Sequence, residues 1–96
     1  MFELDQIGNE LSPYEDKLKD MGKLLGIEEA KEKIAELEEI SADPDFWSDM
    51  TKSQKTMQTI KGLKDKVQGY ESLMSKYEDI YTLIEMGKEE EDAELL

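Results

Sequence analysis

The 96-residue sequence contains no cysteine and no histidine, and each of its 12 basic residues is a lysine, so arginine is absent too. These absences remove whole classes of chemistry. Without cysteine or histidine there is no disulfide, no thiolate nucleophile, no imidazole base and no ordinary structural zinc site. Without arginine no side chain can place two parallel hydrogen bonds on a phosphate, a carboxylate or a guanine edge. Apolar runs never exceed two residues, as in Leu24-Leu25, Phe46-Trp47 and Leu83-Ile84, whereas a membrane span needs about 20 and a signal-peptide core about 7 to 15. No segment reads as membrane-inserted, and the cysteine-free composition agrees with the cytoplasm as compartment. A chain this short buries only about 60 to 65% of its unfolded surface. A deep enzyme pocket is not expected, and neither is a cofactor.

Acid is present in excess: 25 aspartates and glutamates give a formal charge of −13. The charge is uneven. Residues 50–69 carry Lys52, Lys55, Lys61, Lys64 and Lys66 against Asp65 alone, while the segments on either side are strongly acidic. A body of this sign is repelled by nucleic acid, and five lysines are too few for strong phosphate binding, so negligible affinity for free nucleic acid is expected.

Spacing identifies the elements. Leu4, Ile7, Leu11, Tyr14, Leu18, Met21 and Leu25 recur at alternating intervals of three and four, a heptad seam that predicts a helix over 4–25. Ser12-Pro13-Tyr14-Glu15 interrupts it with a start signal, Ser12 as N-cap and Pro13 at the first helical position, which predicts a restart or kink there. Gly22 and Gly26 read as its end. Ile27, Ala30, Ile34, Leu37 and Ile40 predict a second helix over 27–41, closed by Ser41-Ala42-Asp43-Pro44; Pro44 disfavours helix at Asp43 and makes 42–49 a tight aromatic turn. Met57, Ile60, Leu63, Val67, Tyr70, Met74, Tyr77, Tyr81 and Ile84 predict a long helix over 50–87 stopped at Gly87, about 57 Å at 1.5 Å per residue. Glu89-Glu90-Glu91-Asp92 and Leu95-Leu96 read as the acidic start of a truncated fourth element over 88–96.

A helix that long needs partners along its stripe, because packing supplies most helix stability. The expected fold is all-α: an elongated antiparallel helical hairpin, a coiled-coil-like bundle of three helices and the start of a fourth, forming one domain. The second helix is expected on residues 50–66 and the first on 67–87. Two readings of the lysine stretch stand side by side. Either these lysines pair with the acids of 27–40 across the hairpin, each pair worth about 0 to 1 kcal/mol when exposed, or some face outward to an acidic partner or phosphates. Phe46-Trp47 likewise reads as a plug over the hairpin's apolar end or as an exposed partner anchor. A concentration-dependent homodimer is a further expectation from an incompletely covered stripe.

Other candidate sites fail. The carboxylates have no desolvated pocket in which one could be raised as a catalytic acid. Asp43, Asp45 and Asp49 resemble the opening of a calcium loop, but Ser48 stands where glycine is required and Gln54 where the closing glutamate is required. Gly62 and Gly69 are lone helical glycines, not a phosphate loop. The candidate residues are therefore Lys52, Lys55, Lys61, Lys64, Lys66 and Trp47 for partner binding, and Ser12, Pro13, Pro44, Phe46, Trp47 and Gly87 for structure.

At Asp43-Pro44-Asp45-Phe46-Trp47 these features converge on a known pattern. A glutamate-rich amphipathic helix, this aromatic turn, a long helix and then Glu89-Glu90-Glu91-Asp92 resemble the N-terminal domain of the bacterial class I peptide chain release factors, the release factor 2 branch in particular, as does the opening Met1-Phe2-Glu3. The resemblance covers nearly all of the sequence. It implies a part in stop-codon-dependent translation termination, as a helical arm facing the stalk base of the large ribosomal subunit, in contact mainly with protein, and influencing the GTPase-class release factor. The family reads stop codons with Ser-Pro-Phe and hydrolyses peptidyl-tRNA with a Gly-Gly-Gln loop. Ser12-Pro13-Tyr14 and Gln68-Gly69 match neither, so this chain is not expected to be an enzyme. The competing reading is a stand-alone coiled-coil adaptor or chaperone-like hairpin, which the periodicity permits equally.

Overall fold

The computed structural model describes residues 2–95, with the backbone alone at Phe2. Met1 and Leu96, which belong to the opening and the closing pair noted above, lie outside the described residues. The fold is all-α: α1 (Phe2–Leu11), α2 (Pro13–Leu24), α3 (Ile27–Ser41), a 3-10 turn (Pro44–Ser48) and α4 (Met50–Leu95), with no strand among the described residues. Two compact units form among the described residues, one from residues 22–71 and one from residues 2–21 and 72–95.

In the unit of residues 22–71, α3 packs antiparallel on α4. Ile27, Ala30 and Val67 are buried together, and Ile34, Leu63 and Tyr70 close around them. Full burial of an aliphatic side chain contributes about 1.5 to 3 kcal/mol, which is what holds two otherwise marginal helices in register. The flank is fixed by Lys64 on Glu38 at 2.6 Å and Lys31 on Glu71 at 3.9 Å. Near the turn, Ile60 is buried and Ser53 is fully buried, its hydroxyl donating to the Met50 carbonyl at 3.0 Å. Gly26 makes the α2–α3 corner in the left-handed region at φ 67°, and its carbonyl accepts the Ala30 N–H at 2.8 Å.

Gly22, expected as a helix end, is instead a buried residue inside α2. It sits against the Tyr70 ring so closely that an added Cβ would lie 2.5 Å from the hydroxyl oxygen and 2.6 Å from Cζ. Here glycine serves close approach of two helices, and Gly26 alone makes the turn. The last turn of α2 and the second turn of α3 thus reach the same turn of α4, at Tyr70 and Glu71. The expected division of the long helix at residues 66 and 67 is corrected accordingly: α3 reaches past residue 66 to Val67, Tyr70 and Glu71.

In the other unit, α1 and the start of α2 run antiparallel to the C-terminal part of α4. Leu4 packs on Gly87, Gly8 faces Ile84 and Lys88, and Lys88 bonds Asp5 at 3.4 Å and Glu85 at 3.5 Å. The break between α1 and α2 falls at Ser12-Pro13, where the Ser12 N–H still donates to the Gly8 carbonyl at 3.0 Å and proline offers no N–H to continue the ladder. Gly87 does not stop α4. It is an interior position that admits the Leu4 methyl group, with an added Cβ only 3.0 Å from it, and residues 88–95 continue the same helix. The acids at 89–92 are therefore ordinary turns of α4 and not the start of a new element.

Tyr77 and Ile84 are buried in this unit. Burial raises the Tyr77 phenol above its ordinary 10.0, and Glu15 adds to the effect. Lys19 is raised above 10.5 by its hydrogen bond to Glu15 and that carboxylate's charge. For Lys88, burial works against the charged form, but the hydrogen bond to Asp5 and the charge of Glu85 outweigh it, so it too lies above 10.5. All three values are raised on folding, so their contribution to stability is complete below the unfolded values and is lost as pH rises through the folded ones.

Two sets of outcomes follow. Gly22→Ala destabilises the chain in urea titrations followed by circular dichroism and Gly22→Val does so more severely, whereas Gly62→Ala and Gly69→Ala, with open space at the Cβ position, stabilise it by about 0.5 to 1 kcal/mol each. On alkaline titration, helicity begins to fall only above pH 10.0 to 10.5, the unfolded values of these groups. The late tyrosinate absorbance disappears in Tyr77→Phe, which keeps or gains stability because it deletes a buried hydroxyl without a hydrogen-bond partner among the described residues.

Candidate partner-docking site at the α3–α4 turn

The turn is built from short-range bonds that its sequence dictates. α3 ends with Ala42 N–H donating to Glu38 O and Glu39 O at 3.1 and 3.2 Å, and Ser41 Oγ donating to Glu38 O at 2.8 Å. Asp43, held extended ahead of Pro44, accepts the Asp45 N–H on Oδ1 at 3.0 Å and so caps the 3-10 turn. Ser48 Oγ donates to Asp45 O at 2.7 Å, and Asp49 Oδ1 accepts the Lys52 N–H at 3.1 Å to start α4. Pro44 stands at the first position of the 3-10 turn, where its missing donor costs nothing.

This framework presents two aromatic rings at a fixed angle. Phe46 and Trp47 meet edge to face, with centroids 4.9 Å apart and planes at 89°. Phe46 is half-buried. Trp47 is 52% exposed, and its indole N–H donates to the Ser41 carbonyl at 3.2 Å. The plug reading is thus corrected for Trp47: Phe46 turns inward, while Trp47 is held by one polar handle with much of its ring in water. Beside them lies a groove of about 550 Å³. Leu37, Ile40 and Phe46 supply its apolar lining, Asp43, Asp45 and Asp49 its acids, and Lys52 one cation.

The five lysines divide. Lys64 makes the cross-helix pair with Glu38, and Lys61 pairs within α4 with Asp65 at 3.0 Å while 77% exposed. At Lys52, Lys55 and Lys66, all exposed, no ion pair to another described residue forms. Pairing with the acids of 27–40 across the hairpin therefore describes Lys64, while Lys61 pairs inside its own helix. Sequence reasoning placed Met57 on the seam, but it is 40% exposed, and the seam runs through half-buried Thr56 and buried Ser53. Counting back by heptads from Ile60 reaches both positions; their polarity hid them. No group of acids among the described residues is arranged to hold a metal ion, and no helix is long and apolar enough to cross a membrane.

Comparison with known proteins places this architecture. Residues 30–96, which include α3 from Ala30 onward, the aromatic turn and α4, match the PCRF domain. Similar proteins include peptide chain release factor 2 of Exiguobacterium sp. (38% identity) and of Listeria innocua (34%), each over 97% of this chain and 25% of the relative. That of Acholeplasma laidlawii is 31% identical over 88% of this chain and 23% of the relative. The chain spans about a quarter of the length of these relatives. No solved structure matches significantly. With the family model covering well over half of the sequence and the aromatic turn inside the matched region, the chain belongs to the PCRF domain family.

Proposed function

We propose that this chain acts in translation termination as the N-terminal helical arm of a peptide chain release factor. The observation that carries the reading is the match to release factor 2 along 97% of the chain, through all its helices and the aromatic turn. The arm docks on the large ribosomal subunit near the stalk base and bears on the GTPase-class release factor. Stop-codon reading and peptidyl-tRNA hydrolysis lie outside this sequence, which has no Ser-Pro-Phe tripeptide and no Gly-Gly-Gln loop. Its contacts are principally with protein. A body at −13 is driven away from rRNA, and Lys52, Lys55 and Lys66, which form no ion pair with another described residue, give a modest electrostatic footprint. Trp47 suits an anchor, since its orientation is already fixed and little entropy is lost when a partner covers it.

In a co-sedimentation assay with 70S ribosomes, the chain is expected in the ribosomal pellet. The double substitution Lys55→Glu and Lys66→Glu lowers the bound fraction several-fold at unchanged helicity, while naked rRNA at physiological salt retains none. A chain that stays in the supernatant at micromolar ribosomes overturns the docking reading and favours a free-standing coiled-coil adaptor.

A further inference from the structure

The groove at the α3–α4 turn carries charge of the sign opposite to the lysines beyond it, and this distinguishes what each can recognise. Its lining is apolar at Leu37, at 48% exposed Ile40 and at half-buried Phe46. Asp43, Asp45 and Asp49 line it as well, and none of them forms an ion pair with another described residue. The caps made by Asp43 and Asp49 go to neutral backbone N–H groups and leave the carboxylate charge uncompensated. Lys52 is the one cation of the lining, so the lining carries three negative charges against one positive.

We infer that this groove docks a basic segment of a partner protein in which arginine or lysine alternates with apolar residues. The inference rests on the reading of this turn as the docking end of the arm and names the chemistry of the partner. A long cationic side chain has an aliphatic stem that can lie along Leu37, Ile40 and Phe46 while its head reaches the aspartates, which satisfies both halves of the lining at once. Trp47 is not itself in the lining, but it meets the lining residue Phe46 edge to face at 4.9 Å and is 52% exposed, so it offers an arginine leaving the groove a ring to stack on. The other occupants are disfavoured by charge. Phosphate-bearing partners meet three carboxylates, and a second copy of the chain brings −13 of its own. A free cation lacks the ligand set it would need, since no metal-holding group exists among the described residues.

The test uses Trp47 as reporter, since it is the only tryptophan. A capped hexapeptide alternating arginine and leucine is titrated into the 96-residue chain, with an alternating glutamate and leucine peptide as counterpart. The expected result is a saturable shift of the Trp47 emission with the arginine peptide alone. Asp45→Asn leaves the turn intact, because Asp45 enters its bonds through the backbone N–H and carbonyl. It weakens the arginine peptide at least three-fold, and Lys52→Glu tightens it by a similar factor. Equal binding of the two peptides, no saturable shift at millimolar peptide, or weakening by Lys52→Glu would overturn the inference. The 70S assay separates the two levels. If Asp45→Asn leaves ribosome binding intact while Lys55→Glu with Lys66→Glu abolishes it, the groove inference fails and the docking reading stands. If the wild-type chain binds the arginine peptide but no ribosome, the groove chemistry holds and the docking reading fails.

Discussion

A long amphipathic helix that must be covered is the constraint from which the rest follows. Isolated helices are marginal in water, and α4 carries apolar and small residues at intervals of three and four that water would otherwise meet. In one unit the cover is α3, and the paired flank Lys64–Glu38 and Lys31–Glu71 fixes its register. In the other it is α1 with the start of α2, and there the fit depends on where side chains are missing. Gly8 stands opposite Ile84 and Lys88, and Leu4 opposite Gly87, so a large group on one helix enters the space left by a glycine on the other. Gly22 and Tyr70 repeat the device in the first unit. Removing such space costs more than the intrinsic helix penalty of glycine, which is why these positions tolerate a residue that weakens helix by about 1 kcal/mol.

Charge is organised around this scaffold and does little to hold it. The exposed pairs within α2, α3 and α4 are worth a few tenths of a kcal/mol each. Their arrangement matters for recognition. The acids that surround the aromatic turn and the lysines of α4 beyond it lie on consecutive stretches of one chain, so surface of both signs adjoins the turn. A protein surface with mixed charge satisfies both; a uniformly anionic one satisfies only the lysines.

Much of this was legible in the sequence because helix periodicity is a strong signal. The boundaries of α3, the break at Ser12-Pro13 and the turn at Asp43-Pro44 follow from spacing, capping and proline sterics, which are local rules. The misreadings were at residues whose role depends on something distant in sequence. Gly22 and Gly87 look like helix ends when only their neighbours are considered, and only the facing Tyr70 ring and Leu4 methyl reveal them as contact points. Ser53 looks like a surface residue until its hydroxyl is seen bonded to the Met50 carbonyl and out of water. At the candidate site, Trp47 was visible as an unusual residue, but whether it faced inward depended on the bond from its indole to Ser41, which no pattern encodes. The division of the lysines into paired and unpaired members was hidden for the same reason.

The seam of α4 changes character along its length, and this sets how the helix opens. It passes from Ser53 and Thr56 beside the turn, through Ile60 and Val67, to Tyr77 and Ile84, and then to Lys88 and Glu91. Burial of hydrocarbon is therefore greatest in the middle stretches and least near both termini. Local opening costs least where little apolar surface is exposed by it, so backbone amides near either extremity should trade protons with solvent well before those around Ile60–Val67 and Tyr77–Ile84. The aromatic turn thus sits beside the more yielding portion of α4, where its surroundings can adjust to an incoming surface without loosening the centre.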